Sequence, residues 1–366
     1  MLESNLYSAN IQKILENQDR HINELKRNPF LRILYRLDKY DIQQSMSVEE
    51  HFQKNSEVIK KVNSSKIRLT VFNFKFILSW ISFRKKNKID IIKELDSSGY
   101  LAVACIVKNE ARYIREWIDF HLVAGVDHII IFDNGSTDAT KNIIRKYVLS
   151  GAVTYIYYPG ESAQYYAYFD AARLSRKKFK WLALIDADEF LFPVELDSLV
   201  NVLKDYEEYP ALGVNWIVFG PSGHSDRPKG DVIDNYRSTF CDYNNEMNCR
   251  IKSIVQPMKV KSVPSPHFCY LKNGQFAVDE NKMEISGAAM YTNVGMAFTF
   301  CNNRKVIRIN HYWTKSLEDL REKCERGYPD GTKNPKYDET LKRLDYPMCE
   351  DNAILDYVQK RRRNYE

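Results

Sequence analysis

Two aspartates, Asp186 and Asp188, lie one residue apart directly after an apolar run and could hold a metal ion together. The run, residues 181–185, has the length and composition of a buried β-strand. Side chains at positions i and i+2 of an extended segment point to the same side, so both carboxylates can face one cation. Carboxylate oxygens suit Mg²⁺ or Mn²⁺, and such sites usually leave room for a substrate diphosphate. The alternative is a solvated acidic pair, which is common at strand ends.

The elements around this pair predict an α/β fold, a mostly parallel sheet flanked by helices. Apolar runs alternate with helix-like stretches from residue 100 to residue 185. Ligands of such sheets bind beyond the carboxyl ends of the strands. Three polar clusters follow predicted strand ends, so we expect them to converge: Lys108-Asn109-Glu110, Asp133-Asn134-Gly135 and Asp186-Ala187-Asp188.

The chain of 366 residues divides into three predicted parts. Residues 1–98 form a helical N-terminal extension, because their apolar residues recur at helical spacing and they contain one proline. Residues 99–330 form the α/β domain. Residues 331–366 form a helical C-terminal tail that ends in a basic run.

The net charge of +6 lies entirely in the extension, where residues 1–98 carry 18 Lys and Arg against 12 Asp and Glu. The excess is densest next to the aromatic, apolar segment 71–83. Residues 71–88 could therefore contact an anionic membrane surface. The alternative, which we favour, is a helix packed on the main domain with its Lys and Arg on the wet side. No motif supports nucleic-acid binding.

The lack of targeting signals and the spacing of the cysteines suggest a cytoplasmic protein. It could at most be peripheral on the inner face of the membrane. The N-terminus lacks a secretory signal, and no uncharged apolar stretch is long enough to span a bilayer. The seven cysteines form no C-x-x-C pair, so we expect reduced thiols and no zinc site.

Several ordered blocks over residues 100–330 resemble glycosyltransferase family 92, and the first half is similar to the wider family 2. They include Cys105-Ile106-Val107-Lys108-Asn109-Glu110, Asp133-Asn134-Gly135-Ser136-Thr137-Asp138, Asp186-Ala187-Asp188-Glu189-Phe190, Lys252-Ser253-Ile254-Val255, and His311-Tyr312 with Lys315-Ser316 and Arg326-Gly327. The resemblance implies a GT-A fold and an inverting, metal-dependent transferase using a UDP-sugar, with UDP-galactose as one candidate. It also implies a glycan or glycolipid acceptor, as in bacterial lipopolysaccharide or capsule synthesis.

The same resemblance suggests roles for individual residues. Asp188 is the first candidate for the metal, with Asp186 beside the metal or a ribose. His311 could complete the metal shell, and Lys315 could reach the diphosphate. Asp133 with Asn134, and Asn109 with Glu110, are candidates for the nucleoside. The alternatives are ordinary: a satisfied His311, a surface Lys315, Asp133 as a turn cap and Glu110 as a favourable charge in a helix's first turn.

An inverting reaction needs a general base to take the proton of the acceptor hydroxyl. His224, on a Gly-flanked loop, is our first choice and Asp226 the second. Glu189 is closest to the acidic pair but could instead support that loop. Two other functions stay open. One is a degenerate, non-catalytic scaffold. The other is a sugar-phosphate nucleotidyltransferase, which is disfavoured because Lys108-Asn109-Glu110 stands where a Gly-rich loop is normal.

Overall fold

A computed structural model describes residues 66–90, 94–242, 247–285, 304–326, 337–342 and 347–363, together with a few single positions. Most of the predicted N-terminal extension lies outside the described residues. Within them, an eight-stranded sheet forms the centre of the protein, in the order β3-β2-β1-β4-β8-β6-β11-β5. The strands are β1 Gly99–Val107, β2 His128–Asp133, β3 Val153–Tyr157, β4 Phe179–Leu184, β5 Glu189–Pro193, β6 Ala211–Val218, β7 Ser238–Phe240, β8 Ile251–Val255, β9 Val260–Ser262, β10 Tyr270–Leu271, β11 Ile307–His311 and β12 Met348–Glu350.

The first half of the sheet is parallel, which confirms the predicted α/β alternation. Strand β1 pairs with β2 and β4, and β2 pairs with β3, all in the parallel sense. Residues of β1 alternate between two cores, with Val103 and Cys105 on one face of the sheet and Ala102 and Ala104 on the other. Both faces are therefore covered, and the strands read as continuous apolar runs.

The second half of the sheet is mixed and brings distant chain segments to the acidic pair. Strand β8 runs antiparallel to both β4 and β6. Strand β11 runs parallel to β6 and antiparallel to β5, so that His311 lies opposite Glu189. The carboxyl end of β11 thus meets the start of β5, next to the acidic segment.

Nine α-helices are described, and they cover the sheet on both sides. Their bounds are α1 Lys66–Lys86, α2 Ile114–Val123, α3 Thr140–Leu149, α4 Gln164–Ser175, α5 Leu199–Lys204, α6 Val232–Asn235, α7 Leu317–Arg326, α8 Tyr337–Lys342 and α9 Ala353–Arg363. Helices α2, α3 and α9 contribute to the core on one face, while α1 and α4 pack on the other. No helix among the described residues is both long and apolar enough to cross a membrane.

Two predictions for the C-terminal region need correction. The tail is not helical throughout, because β12 separates α8 from α9 and pairs antiparallel with β7. This pairing brings Cys241 and Cys349 together, with a Cα–Cα distance of 4.9 Å, and they form a disulfide. The prediction that all seven cysteines are reduced is therefore wrong for this pair. The two residues are 108 positions apart, and their spacing gave no sign of the contact.

Candidate functional site

The backbone of the acidic segment is fixed by side chains from helix α2. The Trp117 indole donates hydrogen bonds to the carbonyl oxygens of Asp186 (3.2 Å) and Glu189 (2.8 Å). One turn further along the helix, His121 Nε2 accepts a hydrogen bond from the Leu191 amide. Helix α2 thus fixes the turn between β4 and β5, and this turn places its aspartates at the carboxyl edge of the sheet.

Asp186 is surrounded by three hydrogen-bond donors. Its Oδ1 accepts from Gln164 Nε2 and from the Tyr168 hydroxyl, both at 2.7 Å. Its Oδ2 accepts from Lys252 Nζ at 2.8 Å. Both oxygens are therefore used inside the protein, and Asp186 serves as the junction between helix α4, strand β8 and the acidic segment.

Lys252 and Glu189 are buried side by side beneath Asp186. Neither side chain has measurable exposure, and Lys252 Nζ lies 3.7 Å from Glu189 Oε2. Burial raises the pKa of Glu189 well above its ordinary value, although Lys252 opposes this. Burial alone would lower the pKa of Lys252, but Asp186 and Glu189 more than offset it and raise the pKa. Glu189 Oε2 also accepts from the Asp186 amide, which matches its predicted alternative role as support for the loop.

Asp188 has different partners. Its Oδ2 accepts a hydrogen bond from Lys323 Nζ at 2.7 Å, and its Oδ1 lies 3.5 Å from His311 Nε2. Burial would raise the pKa of Asp188, but Lys323 and His311 hold it well below its ordinary range. Asp188 is therefore ionised at neutral pH, beside an ammonium and an imidazole.

His311 is the last residue of β11, and its ring lies against Trp216 with 4.2 Å between centroids. Burial lowers its pKa, which favours the neutral imidazole that metal ions require. Its Nδ1 is buried without a hydrogen-bond partner, while Nε2 faces Asp188. These are properties of a residue that can bind a cation through Nε2.

The three predicted metal ligands do not form one cluster. Among the described residues, no group of three or more His, Cys, Asp and Glu side chains is placed to hold a metal ion. Asp188 and His311 face each other, but Asp186 is turned toward Lys252. The donor set of one carboxylate and one neutral imidazole suits Mn²⁺ or Mg²⁺, because these ions keep waters and substrate phosphates as further ligands. Two of the three predicted residues therefore fit a metal.

The polar clusters after β1 and β2 are joined by hydrogen bonds, as their predicted convergence requires. Asn109 Oδ1 accepts from the Thr137 amide at 2.8 Å, and the Glu110 amide donates to Thr140 Oγ1 at 2.9 Å. The Asn134 side chain donates to the carbonyl oxygens of Tyr158 and Gly160. These contacts fix the shape of the loops. That the clusters bind a nucleoside stays a prediction.

Asp133 is only 1% exposed. Its Oδ1 accepts from the Ser136 amide at 2.7 Å, and its Oδ2 accepts from the Tyr155 hydroxyl at 2.6 Å. One oxygen is thus bound within the turn and the other by the neighbouring strand β3. This geometry matches the turn-capping alternative for Asp133.

Helix α7 connects the clusters, and sequence reasoning did not assign its basic residues to the site. Lys323 binds Asp188, and three residues further along Arg326 donates to the Lys108 carbonyl (2.8 Å) and contacts Glu110 (3.3 Å). Residues three apart on a helix share a face. The pair Lys323 and Arg326 therefore spans the acidic segment and the β1 cluster, which places two cations where a diphosphate is expected.

Lys252 was also missed as a site residue, although the sequence carried a signal. It is a lone charge in the buried run Ile251–Val255, and a buried lysine needs a partner. Lys323 had no comparable signal, because α7 is polar on most of its surface and the contact with Asp188 spans 135 residues.

Lys315 lies near this group but is turned to an aromatic ring. Its Nζ is 4.6 Å from the centroid of Tyr113, and the side chain is largely buried. Its charge nevertheless helps to lower the pKa of Asp188. The predicted contact of Lys315 with a diphosphate stays a prediction.

The two first choices for the general base lie on the loop that precedes α6. The His224 ring packs edge-on against Tyr236, with 5.7 Å between centroids, and Asp226 is exposed. The amides of Leu317 and Glu318, at the start of α7, donate to the carbonyls of His224 and Ser225. The loop is thus attached to the helix that carries Lys323.

A sequence profile of glycosyltransferase family 92 matches residues 100–292, more than half of the chain. The chain belongs to glycosyltransferase family 92. It is similar to a family 92 protein of Oryza sativa subsp. japonica, with 27% identity over 288 residues that cover 71% of this chain and 44% of the rice protein. A family 92 protein of Arabidopsis thaliana is 28% identical over 209 residues, covering 53% of this chain and 34% of the relative. The chain thus spans less than half the length of these curated relatives.

Two solved structures are similar to this family 92 chain at low identity. One is the mannosyltransferase PcManGT from Pyrobaculum calidifontis in complex with GDP-Man and Mn²⁺, at 20% identity and a TM-score of 0.27, covering 43% of this chain and 47% of that one. Another is S. aureus TarS 1–349, at 12% identity and a TM-score of 0.34, covering 61% and 63%. Scores this low say nothing about the site. The predicted α/β, GT-A-type fold is confirmed by the sheet and the family together.

Proposed function

We propose that this family 92 chain is a metal-dependent, inverting glycosyltransferase that moves a sugar from a UDP-sugar to a glycan or glycolipid acceptor. The observation that supports it most directly is Asp188, ionised and facing the neutral imidazole of His311 at 3.5 Å, at the carboxyl edge of the sheet. Galactose is the sugar that the family resemblance puts first. Lipopolysaccharide or capsule is the proposed class of acceptor.

In this proposal, Asp188 and His311 hold Mn²⁺ or Mg²⁺. The ion, when bound, supplies positive charge to the leaving nucleoside diphosphate. Lys323, which donates to Asp188 Oδ2, would contribute its ammonium to a phosphate oxygen if that contact opened. Arg326 and Lys315 add two further cations at the same edge. Asp186 is assigned a supporting role, because its oxygens already accept three hydrogen bonds.

The general base in this proposal is His224, with Asp226 as the second choice. Glu189 is less suited to proton abstraction, because it is fully buried and hydrogen-bonded to the Asp186 amide. His224 lies on a half-buried loop beside α7, where an acceptor hydroxyl can approach. Replacing His224 by Ala should lower turnover by about 100-fold or more if it is the base.

One observation favours a second function, a degenerate scaffold without catalysis. Both aspartates are neutralised by lysines of the chain itself, Asp186 by Lys252 and Asp188 by Lys323. Two aspartates that are each paired with a lysine could have lost the ability to bind a metal ion. A nucleotidyltransferase has no such support, since family 92 membership and the absence of glycine at residues 108–110 both argue against it.

For location, we propose the cytoplasmic side of a membrane. The disulfide between Cys241 and Cys349 argues against this location, because a reducing cytosol rarely keeps disulfides. Alkylation of whole cells followed by mass spectrometry tests this directly. Full protection of both cysteines from alkylation would place the protein in an oxidising compartment and contradict the proposal.

Calorimetric titration of UDP, with and without Mn²⁺, tests the donor site. We expect Mn²⁺-dependent binding to wild type, loss of that binding in Asp188→Ala, and its retention in Asp197→Ala, an exposed carboxylate on the surface. A transfer assay with a panel of UDP-sugars then separates an enzyme from a scaffold. No UDP binding in the presence of metal would contradict the UDP assignment, and the absence of transfer with any donor would favour the scaffold.

A further inference from the structure

Helix α1 has two apolar faces, and only one of them packs on the domain. On the packed face, Trp80 Nε1 donates to Asp170 Oδ2 at 3.1 Å, and Phe83 lies 4.6 Å from Tyr166 between ring centroids. Arg84, also on this face, is buried against Asp170. These contacts fix the helix to α4, so the orientation of its opposite face is defined.

The opposite face of α1 presents an apolar stripe to solvent. Phe74 is 64% exposed and Leu78 is 51% exposed, and the other members of the stripe are exposed as well: Val71, Ile77 and Ile81. Their spacing of three and four residues places them along one side of the helix. From residue 71 to residue 81 the stripe is about 15 Å long. A helix that is apolar on both sides is normally buried on both, so we expect the stripe to be covered by a partner.

The charges on helix α1 itself are all positive. Helix α1 contains six Lys and Arg and no Asp or Glu. Lys85 continues the line of the stripe at the C-terminal end of the helix, and Lys75 and Lys86 flank it on one side. All three are exposed, as is Lys88 just beyond the helix end. An apolar surface rimmed by lysines complements a layer of anionic headgroups above hydrocarbon.

We propose that the exposed face of α1, defined as Val71, Phe74, Ile77, Leu78 and Ile81 with Lys75, Lys85, Lys86 and Lys88, binds an anionic lipid membrane. The apolar side chains enter the headgroup boundary, and the lysines contact the anionic headgroups. Helix α4 lies directly beneath α1 and carries Gln164 and Tyr168, which bind Asp186. Membrane contact would therefore bring the candidate site close to the lipid surface. This binding is independent of sugar transfer and does not rest on the proposed function.

Flotation of the full chain with vesicles tests the proposal. We expect binding to phosphatidylcholine vesicles that contain about 30% phosphatidylglycerol, and little binding to pure phosphatidylcholine. The double substitution Lys85→Gln/Lys86→Gln should weaken the partition coefficient by about 30-fold, since each lysine near an anionic surface contributes a factor of about five. Raising NaCl from about 50 mM to about 500 mM should weaken it as well, because exposed charges are screened.

The apolar contribution is tested with Phe74→Ser/Leu78→Ser, which should weaken binding at least about tenfold. Leu149→Gln is the matched control, because Leu149 is an exposed apolar residue on α3, away from the stripe, and its loss should leave binding unchanged. Because both stripe side chains are exposed, the double variant should keep its melting temperature within about 2 °C of wild type.

Three results would overturn the proposal. The first is the absence of wild-type flotation with anionic vesicles at low salt. The second is a melting temperature of the Phe74→Ser/Leu78→Ser variant that falls by more than about 5 °C, which would show that another part of the chain covers the stripe. The third is concentration-dependent self-association by light scattering that this variant abolishes while vesicle binding persists, which would identify a second copy as the partner.

Discussion

Asp186 and Asp188 each face a lysine ammonium, but the two lysines come from different parts of the molecule. Lys252 belongs to strand β8, in the middle of the sheet, and its side chain has no exposure. Lys323 belongs to helix α7, at the edge of the protein, and keeps part of its surface in solvent. The lysine of the first pair is thus part of the core, although Asp186 itself is 31% exposed, whereas the lysine of the second pair lies on a peripheral helix.

Asp186 and Asp188, which belong to one short motif, therefore have different surroundings. Asp186 accepts three hydrogen bonds, from Gln164, Tyr168 and Lys252, on its two oxygens. Asp188 shares one oxygen with Lys323 and turns the other toward His311. Two aspartates at equivalent strand-end positions therefore have different partners, and substitutions at each lysine and each aspartate test whether their roles differ as we propose.

The largest effect is expected for Lys252→Met. The substitution leaves Asp186 and Glu189 without their buried counter-charge, which should lower the free energy of unfolding by about 3–5 kcal/mol at pH 7. Urea denaturation measures it. Lys180→Met is the control, because Lys180 pairs with Glu207 at the surface and its loss should cost less than about 1 kcal/mol. Equal stability of Lys252→Met and wild type would show that the pair does not support the core.

The free energy of unfolding should fall at acidic pH because of His121, which binds the Leu191 amide next to the acidic segment. We call this fall the acid limb of stability. Burial lowers the pKa of His121 from 6.5 to about 4. The folded state therefore binds fewer protons than the unfolded state between these values, and stability falls as the pH is lowered from 6.5 to 4. The loss from this group is roughly 3 kcal/mol.

Denaturant midpoints across this pH range measure the acid limb in wild type and in His121→Gln. The variant should be less stable at pH 7 but lose less on acidification. His224→Gln, on a half-buried loop, should keep the wild-type acid limb. If the stability of His121→Gln falls with pH as steeply as that of wild type, other groups cause the acid limb.

The two aspartates should differ in donor binding. Asp188→Asn is expected to weaken Mn²⁺-dependent UDP binding by about 100-fold, since it removes the charged ligand of the proposed ion. Asp186→Asn should weaken it by only about tenfold, the lower end of the range for a residue that supports the metal ligands from outside. Calorimetry on both variants measures the ratio. The reverse order would assign the metal to Asp186 and contradict the comparison.

The smallest effect is expected for Lys323→Met. Freeing Asp188 Oδ2 from its ammonium should raise Mn²⁺ affinity about tenfold, because a like charge next to the ion is removed. Electron paramagnetic resonance of free Mn²⁺ measures this without an assay of activity. Arg326→Met is the matched control on the same helix, since Arg326 contacts Glu110 and not Asp188. Weaker Mn²⁺ binding in Lys323→Met would show that Lys323 does not compete with the metal.

The sequence by itself determined the parallel half of the sheet and the position of the acidic pair. Apolar runs such as residues 101–107 and 128–132 identify buried strands, and the strand–helix alternation leaves few arrangements for them. The convergence of the clusters at residues 108–110, 133–135 and 186–188 follows from that topology. Local patterns suffice here because each strand and its neighbour lie close together in the chain.

Only the tertiary structure decided which cations face the aspartates and which cysteines pair. Lys323 reaches Asp188 across 135 residues, and Cys241 meets Cys349 across 108. Two antiparallel pairings bring these segments together, that of β11 with β5 in the mixed half of the large sheet and that of β12 with β7 in a separate two-stranded sheet. Register between distant strands depends on how whole faces pack, and this information is spread over the chain rather than contained in any one segment. The same reason explains why Asp186 and Asp188, equivalent in the sequence, differ in the folded protein.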